Sequence, residues 1–154
     1  MENVIIRDAI LEDLPVLKTF EQELIKAERP FDPTIRQAPI SYYDLEEYVR
    51  RDDVKVVVAE IEGTLVSSGY AYAKPARTYL DHTQYAYLGF MYTVPDYRGR
   101  GINKKIVEVL MDWARKNDLL EIRLTVYNKN LPAVKAYEKV GFQEHLNEMR
   151  IRLK

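Results

Sequence analysis

Apolar positions along the chain alternate between strand-like and helix-like spacing. Residues 4–7 form a short β-branched run. Asp13 can cap a helix that carries Pro15 near its start, with Leu14, Leu17, Phe20 and Leu24 on one stripe. Pro30, Pro33 and Pro39 break the chain between residues 29 and 40, and such a loop often shapes access to a site. Ser41 can cap a second helix with Leu45, Tyr48 and Val49 inward. Residues 54–61 and 65–74 read as a hairpin about Glu62, Gly63 and Thr64. A polar connection over 76–84, containing Asp81 and His82, leads into an aromatic-rich strand over 85–94. Residues 102–117 predict a helix with Ile102, Ile106, Val109, Leu110 and Trp113 on one face. Strands are predicted over 120–127 and 143–153, with a short helix between them. This order predicts an α+β (α/β) sheet with helices on both faces. With 154 residues and no repeat, low-complexity tract or linker, residues 1–154 read as one domain.

The junction between the strand over 85–94 and the following helix carries the first chemistry. It reads Val94, Pro95, Asp96, Tyr97, Arg98, Gly99, Arg100, Gly101, Ile102, Asn103, Lys104, Lys105. A strand, a glycine-bearing turn and a helix start make a site for a phosphate. Glycine lets the backbone approach a ligand, and the first helical turn offers unpaired N–H groups at the positive end of the dipole. Arg98, Arg100, Lys104 and Lys105 add positive charge. A basic surface turn would look the same, so the loop alone decides little. The dinucleotide fingerprint is excluded because Lys104 stands where its third glycine would be, and no P-loop run is present.

A second motif runs from Asn130 to Phe142. Asn130 is a good N-cap residue, Pro132 is tolerated in the first turn, and Gly141 suits the position after the last turn. Ala133, Ala136, Tyr137 and Val140 share a face. An amphipathic helix with a core tyrosine would show the same periodicity.

Together the two motifs resemble the GNAT superfamily of acyl-CoA N-acyltransferases. The family's cofactor loop is Gln/Arg-x-x-Gly-x-Gly/Ala. Arg98 fills its first position, Gly101 its fourth, and Asn103 stands at the sixth, where Gly or Ala is usual. Asn tolerates unusual backbone angles better than most residues. The family's second motif is matched at Asn130, Ala133, Tyr137, Glu138, Lys139, Gly141 and Phe142. The resemblance implies a mixed, mostly antiparallel central sheet with helices on both faces and a splayed parallel pair, here 85–94 and 120–127. It implies acetyl-CoA (coenzyme A) as co-substrate, with no metal. The pantetheine amides would pair with the backbone of Tyr92 and Val94 like an added strand. The backbone of Arg98, Gly99, Arg100, Gly101, Ile102, Asn103 and Lys104 would cradle the pyrophosphate, and Asn130 would orient the cofactor arm. The reaction would be direct attack by a primary amine in a ternary complex. A backbone N–H near Tyr92 would steady the oxyanion, and Tyr137 would protonate the leaving thiolate. A homodimer through the C-terminal strand or a sheet edge is a habit of the family.

Some family members place a glutamate on the central strand as general base. Here that stretch reads Tyr87, Leu88, Gly89, Phe90. A water relay ordered by Tyr85, Tyr87 or Tyr92 is the first expectation, with Glu23, Glu28, Asp81 and His82 as side-chain alternatives that also read as ordinary surface groups. The chain has 12 tyrosines. Tyr70, Tyr72, Tyr85, Tyr87 and Tyr92 could line an aromatic pocket for a cationic amine, although strand alternation would put half of them in the core.

Composition narrows the partners. The formal net charge is −1, which gives no drive toward nucleic acid or an anionic membrane. There is no Cys, hence no disulfide, thiol nucleophile or Cys-based zinc site. The first residues lack a signal-peptide pattern and no apolar run could span a bilayer, so a cytoplasmic location is the default. A non-catalytic acetyl-CoA-binding regulatory module is the alternative to an enzyme.

Overall fold

A computed structural model describes residues 3–154. Its sheet has five strands in consecutive order: β1 (Val4–Asp8), β2 (Val54–Ile61), β3 (Thr64–Pro75), β4 (Gln84–Thr93) and β5 (Ile122–Arg123). Neighbours from β1 to β4 are antiparallel, and β4 and β5 are parallel. The β2–β3 turn sits at Glu62 and Gly63, whose φ values of 50° and 79° are the left-handed angles a tight hairpin needs. Helix α1 (Leu14–Glu28) and α2 (Leu45–Arg50) cover one face of the sheet, and α3 (Ile102–Lys116) covers the other. Helix α4 (Leu131–Val140) follows β5. None of the helices among the described residues is long and apolar enough to cross a membrane.

Each face has its own core. Val57, Ala59, Val66, Ala86 and Leu88 meet Ile102, Ile106, Val107, Leu110 and Ala114 of α3. Val56, Val58, Tyr70, Phe90 and Tyr92 meet Leu17 and Phe20 of α1 and Leu45 of α2. Strand β4 therefore changes faces along its length. Ala86 and Leu88 point to α3, whereas Phe90 and Tyr92 point to α1. Simple alternation would keep all four on one side. The change occurs at a slip in the β3–β4 ladder, where Tyr70 pairs with Gly89 but Ser68 pairs with Tyr92. Phe90 sits in the slip at φ 55°. The hydroxyls of Ser68 and Ser67 donate to the carbonyls of Phe90 and Tyr92 at 2.9 and 2.7 Å. Buried carbonyls at a bulge would otherwise lack partners, at a cost of about 1–3 kcal/mol each.

Several expectations change. The inward face of α3 runs through Val107 and Ala114, while Val109 and Trp113 lie at its flank. Asp44, rather than Ser41, caps α2 by accepting the Glu47 N–H at 3.2 Å. Asp13 precedes α1, but its carboxylate accepts the Ile10 N–H at 2.9 Å and takes the Arg7 guanidinium at 2.8 and 3.0 Å. Only Ile122 and Arg123 of the strand expected over 120–127 are paired. The strand expected over 143–153 does not form, and residues 143–154 are exposed throughout. Both segments have strand-like composition, but a strand needs a neighbour to complete its hydrogen bonds.

Gly89 is required at the slip because the Tyr70 ring lies on it: a Cβ there would be 2.5 Å from the Tyr70 hydroxyl and 2.6 Å from the ring. Gly89→Ala should destabilise the fold by about 1–3 kcal/mol in urea unfolding. An unchanged midpoint would show that this packing is looser than described.

Candidate functional site

Pairing between β4 and β5 ends at Tyr87 and Arg123. Beyond it β4 continues to Thr93 with no ladder on that side, and the strands part. A hydrogen bond of 2.9 Å between the Tyr87 hydroxyl and Thr125 Oγ1 spans the start of the opening. The backbone facing the gap differs from expectation. The Val94 N–H donates to Val66 O at 2.8 Å, and Val94 O accepts the Tyr97 N–H at 2.9 Å. Tyr92 O accepts from Ser67 on the β3 side. Hydrogen-bonding direction alternates along an antiparallel strand. Tyr92 and Val94 therefore turn toward β3, and the backbone of Met91 and Thr93 turns toward the splay. The Tyr92 side chain is likewise buried, packed on Phe20 with ring centroids 5.0 Å apart.

At the end of β4 a short turn, Pro95–Tyr97, leads into the glycine loop. Gly99 and Gly101 hold φ of 77° and 78°, angles that favour glycine. Gly101 is the N-cap of α3, and no side chain caps that helix end. Ile102, buried on the α3-side core, anchors the first turn. Asn103 lies inside the helix and needs no unusual angle, because the left-handed residue is Gly101. Arg98 is fixed rather than mobile: its Nε donates to Thr93 O at 2.8 Å, and its guanidinium lies 5.7 Å from the Tyr92 ring centre. Arg100 donates to Asp96 O at 2.9 Å and lies over Tyr97. Lys104 is exposed on the first turn of α3. The chain thus has a strand-like gap ending at an open helix N-terminus, a fit for a ligand with amides at one end and a pyrophosphate at the other.

Helix α4 follows β5 in the chain. Asn130 is its N-cap position, but its side chain does not cap the helix and its carbonyl accepts the Val134 N–H at 3.0 Å. Gly141 ends α4 at φ 121°. Tyr137 is half-buried and packs edge-on against Phe142. Burial, and then the negative charge of Glu28, push its phenol up to about 12, so it stays protonated at neutral pH.

Glu28 ends α1 on the same side. Burial raises its pKa, against an opposing influence of the Tyr42 hydroxyl. Phe31 stacks on Tyr127 at 5.8 Å, and Tyr42 meets Tyr43 edge-on at 5.7 Å. Buried Glu21 accepts the N–H groups of Tyr42 and Tyr43, each at 2.8 Å, and so fixes the backbone that carries both rings. Sequence reading did not single out Phe31, Tyr42, Tyr43 or Tyr127. The one available signal was Glu21, an acid on the helix face that Leu17 and Phe20 also occupy.

Asp81 and His82 lie elsewhere. His82 bonds Asp81 at 2.8 Å and Arg123 at 2.9 Å, at the start of β4 and away from the glycine loop. Glu23 is exposed, though its charge raises the pKa of Tyr92 after burial does. Of the expected aromatic set, Tyr70, Tyr72 and Tyr87 form one line of rings, with centroids 5.5 and 5.9 Å apart. Tyr70 and Tyr92 are core, the Arg123 guanidinium lies 4.2 Å from the Tyr85 ring, and the Lys74 ammonium sits 3.8 Å from the Tyr87 ring and 5.6 Å from that of Tyr72.

Residues 21–142 match the model of the acetyltransferase (GNAT) family. The chain is 33% identical over 70 residues to YobR, an uncharacterized N-acetyltransferase of Bacillus subtilis; the match covers 46% of this chain and 28% of that protein. The fold is similar to that of a mutant BH1408 protein from Bacillus halodurans, with TM-score 0.84 and 19% identity over 97% of this chain and 99% of that one. It is also similar to the aminoglycoside N-acetyltransferase AAC(6')-Iy in complex with CoA, with TM-score 0.75 and 16% identity over 97% and 99% of the two chains. With the family match spanning both motifs and the splay between them, the chain belongs to the GNAT family of acetyltransferases.

Proposed function

We propose that residues 1–154 act as one N-acetyltransferase domain that moves an acetyl group from acetyl-CoA to a primary amine by direct attack in a ternary complex. The observation that carries this reading is the β4–β5 splay, whose β4 side leads into the uncapped N-terminus of α3. The pantetheine arm pairs with Met91 and Thr93 in the gap. The pyrophosphate lies on the N–H groups of Gly99 to Lys104, where the helix dipole and the basic side chains favour it. Asn130, with its side chain not used as a cap, bonds the arm from the α4 side.

The thioester is already activated, so no covalent enzyme intermediate is required. The amine attacks the carbonyl, a backbone N–H of β4 near Met91 steadies the oxyanion, and the C–S bond breaks as Tyr137 donates its proton to the thiolate. Because AAC(6')-Iy is an aminoglycoside N-acetyltransferase, aminoglycosides belong in the amine panel to be tested.

The exposed segment 143–154 fits a homodimer. Leu146, Met149, Ile151 and Leu153 are 80–92% exposed, and among the described residues β5 has no partner on its outer edge. Exchange of this segment with a second copy would cover both. Light scattering should give twice the monomer mass, and Ile151→Glu with Leu153→Glu should give a folded monomer. A monomeric parent chain would remove the dimer.

Tyr137→Phe should lower kcat in acetyl-CoA-dependent thiol release by roughly 100-fold and leave acetyl-CoA affinity unchanged. Acetyl-CoA binding without turnover on polyamines, amino acids, aminoglycosides or peptides would instead favour the regulatory module.

A further inference from the structure

The α1-side face of the sheet carries a cluster of cations and phenols that the proposed acetyl transfer leaves unused. Ala71, Ala86 and Leu88 belong to the α3-side core and Ile122 packs against it. Alternation therefore puts Tyr72, Lys74, Tyr85, Tyr87 and Arg123 together on the opposite face. Lys74 pairs across the ladder with Tyr85, and Arg123 with Tyr87, but each cation leans over the other's ring. The Lys74 ammonium lies 3.8 Å from the Tyr87 ring centre, and the Arg123 guanidinium 4.2 Å from that of Tyr85. The two tyrosines are rooted about 7 Å apart on one strand, so the cations flank a single patch of phenol surface. Pairing of β4 with β5 stops at Tyr87, whose hydroxyl bonds Thr125 across the opening. The patch thus borders the closed end of the splay, the end away from the glycine loop.

Both cations keep donors to spare. Lys74 is half-buried and has no carboxylate partner among the described residues; its charge is met only by the faces of Tyr72 and Tyr87. Arg123 is aimed by its neighbours. Asp81 accepts the Nδ1–H of His82 at 2.8 Å, which leaves Nε2 to accept from Arg123 Nη2 at 2.9 Å. Arg123 Nε donates to Glu121 at 3.3 Å, and Nη1 has no partner among the described residues. At the patch two cations therefore stand against the one charge of Glu121, an excess of one positive. Asp81 holds the far ring nitrogen of His82 and is fully exposed, so solvent and salt screen it.

We propose that Lys74 and Arg123, over the rings of Tyr85 and Tyr87, hold a carboxylate carried by the acceptor. The inference rests on the acetyl-transfer reading and adds the acceptor's second recognised group. Arg123 Nη1 and the Lys74 ammonium each donate a charge-assisted hydrogen bond to the carboxylate, and the phenol faces take the carbon skeleton beside it. An excess of one positive charge matches a carboxylate better than a phosphate monoester, which carries a charge of about −1.5 to −2 at neutral pH. The same two cations repel a polyamine, and repulsion discriminates as well as attraction does. The acceptor is therefore an amine of amino-acid type, its nitrogen in the splay and its carboxylate at the closed end.

The test compares glycine, β-alanine and γ-aminobutyrate, each against its own amide, in acetyl-CoA-dependent thiol release. Ethanolamine and its phosphate ester form the phosphate arm. At least one acid should exceed its amide tenfold or more in kcat/KM, through KM and with similar kcat. Lys74→Gln should erase that advantage and Lys74→Arg should keep most of it, with acetyl-CoA affinity, the control for folding, the same in both. Binding is read separately by NMR of the tyrosine rings in CoA-saturated protein. Propionate should shift Tyr85 and Tyr87, propionamide should not, and Lys74→Gln should weaken propionate at least tenfold. Amides that match their acids, propionate that shifts the rings no more than propionamide, or propionate binding that survives Lys74→Gln overturns the carboxylate site even if acetyl transfer stands. A phosphate ester that outpaces all three acids overturns it in favour of a phosphate. Lys74-dependent binding of propionate with no turnover on any amine upholds the site and removes the acetyl-transfer reading.

Discussion

Phe90 holds a left-handed backbone in the middle of β4, a conformation that costs a non-glycine residue roughly 1–3 kcal/mol. The surrounding structure over-determines it. The Phe90 side chain is buried in the core beneath α1 and α2, Tyr70 closes over Gly89, and Ser67 and Ser68 satisfy the displaced carbonyls. The slip sends the ring of Tyr92 into the α1-side core and turns the backbone of Met91 and Thr93 toward β5. Without it, β4 would present the opposite set of backbone groups to the gap. The cofactor register proposed for this protein follows from that one shift.

The site is also polarised. At the end of β4 the α3 N-terminus, Arg98, Arg100 and Lys104 gather positive character where a pyrophosphate would lie. At the end of α1 the helix dipole is negative and Glu28 adds a carboxylate among phenols. Tyr137 is kept protonated by burial and by the charge of Glu28.

The glycine loop and the Asn130–Phe142 motif were legible because each depends on local backbone rules. Gly99, Gly101 and Gly141 all take the positive φ that their positions suggest. The hairpin at Glu62 and Gly63 was legible for the same reason. The slip was not: a phenylalanine at positive φ has no sequence signature, so nothing in 85–94 could correct the register that the family resemblance implied for Tyr92 and Val94. The stack of Phe31 on Tyr127 was equally hidden, since it joins residues far apart in the chain. The segments at 120–127 and 143–153 show the reverse error. Their composition suits strands, but β structure is completed by neighbours, and here most of each segment lacks one.

The most direct test of this account is residue-resolved amide exchange with and without acetyl-CoA. Binding should slow exchange at Met91 and Thr93, along with Gly99 to Lys104, and leave Val94, already bonded to Val66, unchanged. Protection confined to the glycine loop, with Met91 and Thr93 unaffected, would contradict the claim that the β4 slip presents the strand on which the cofactor arm pairs.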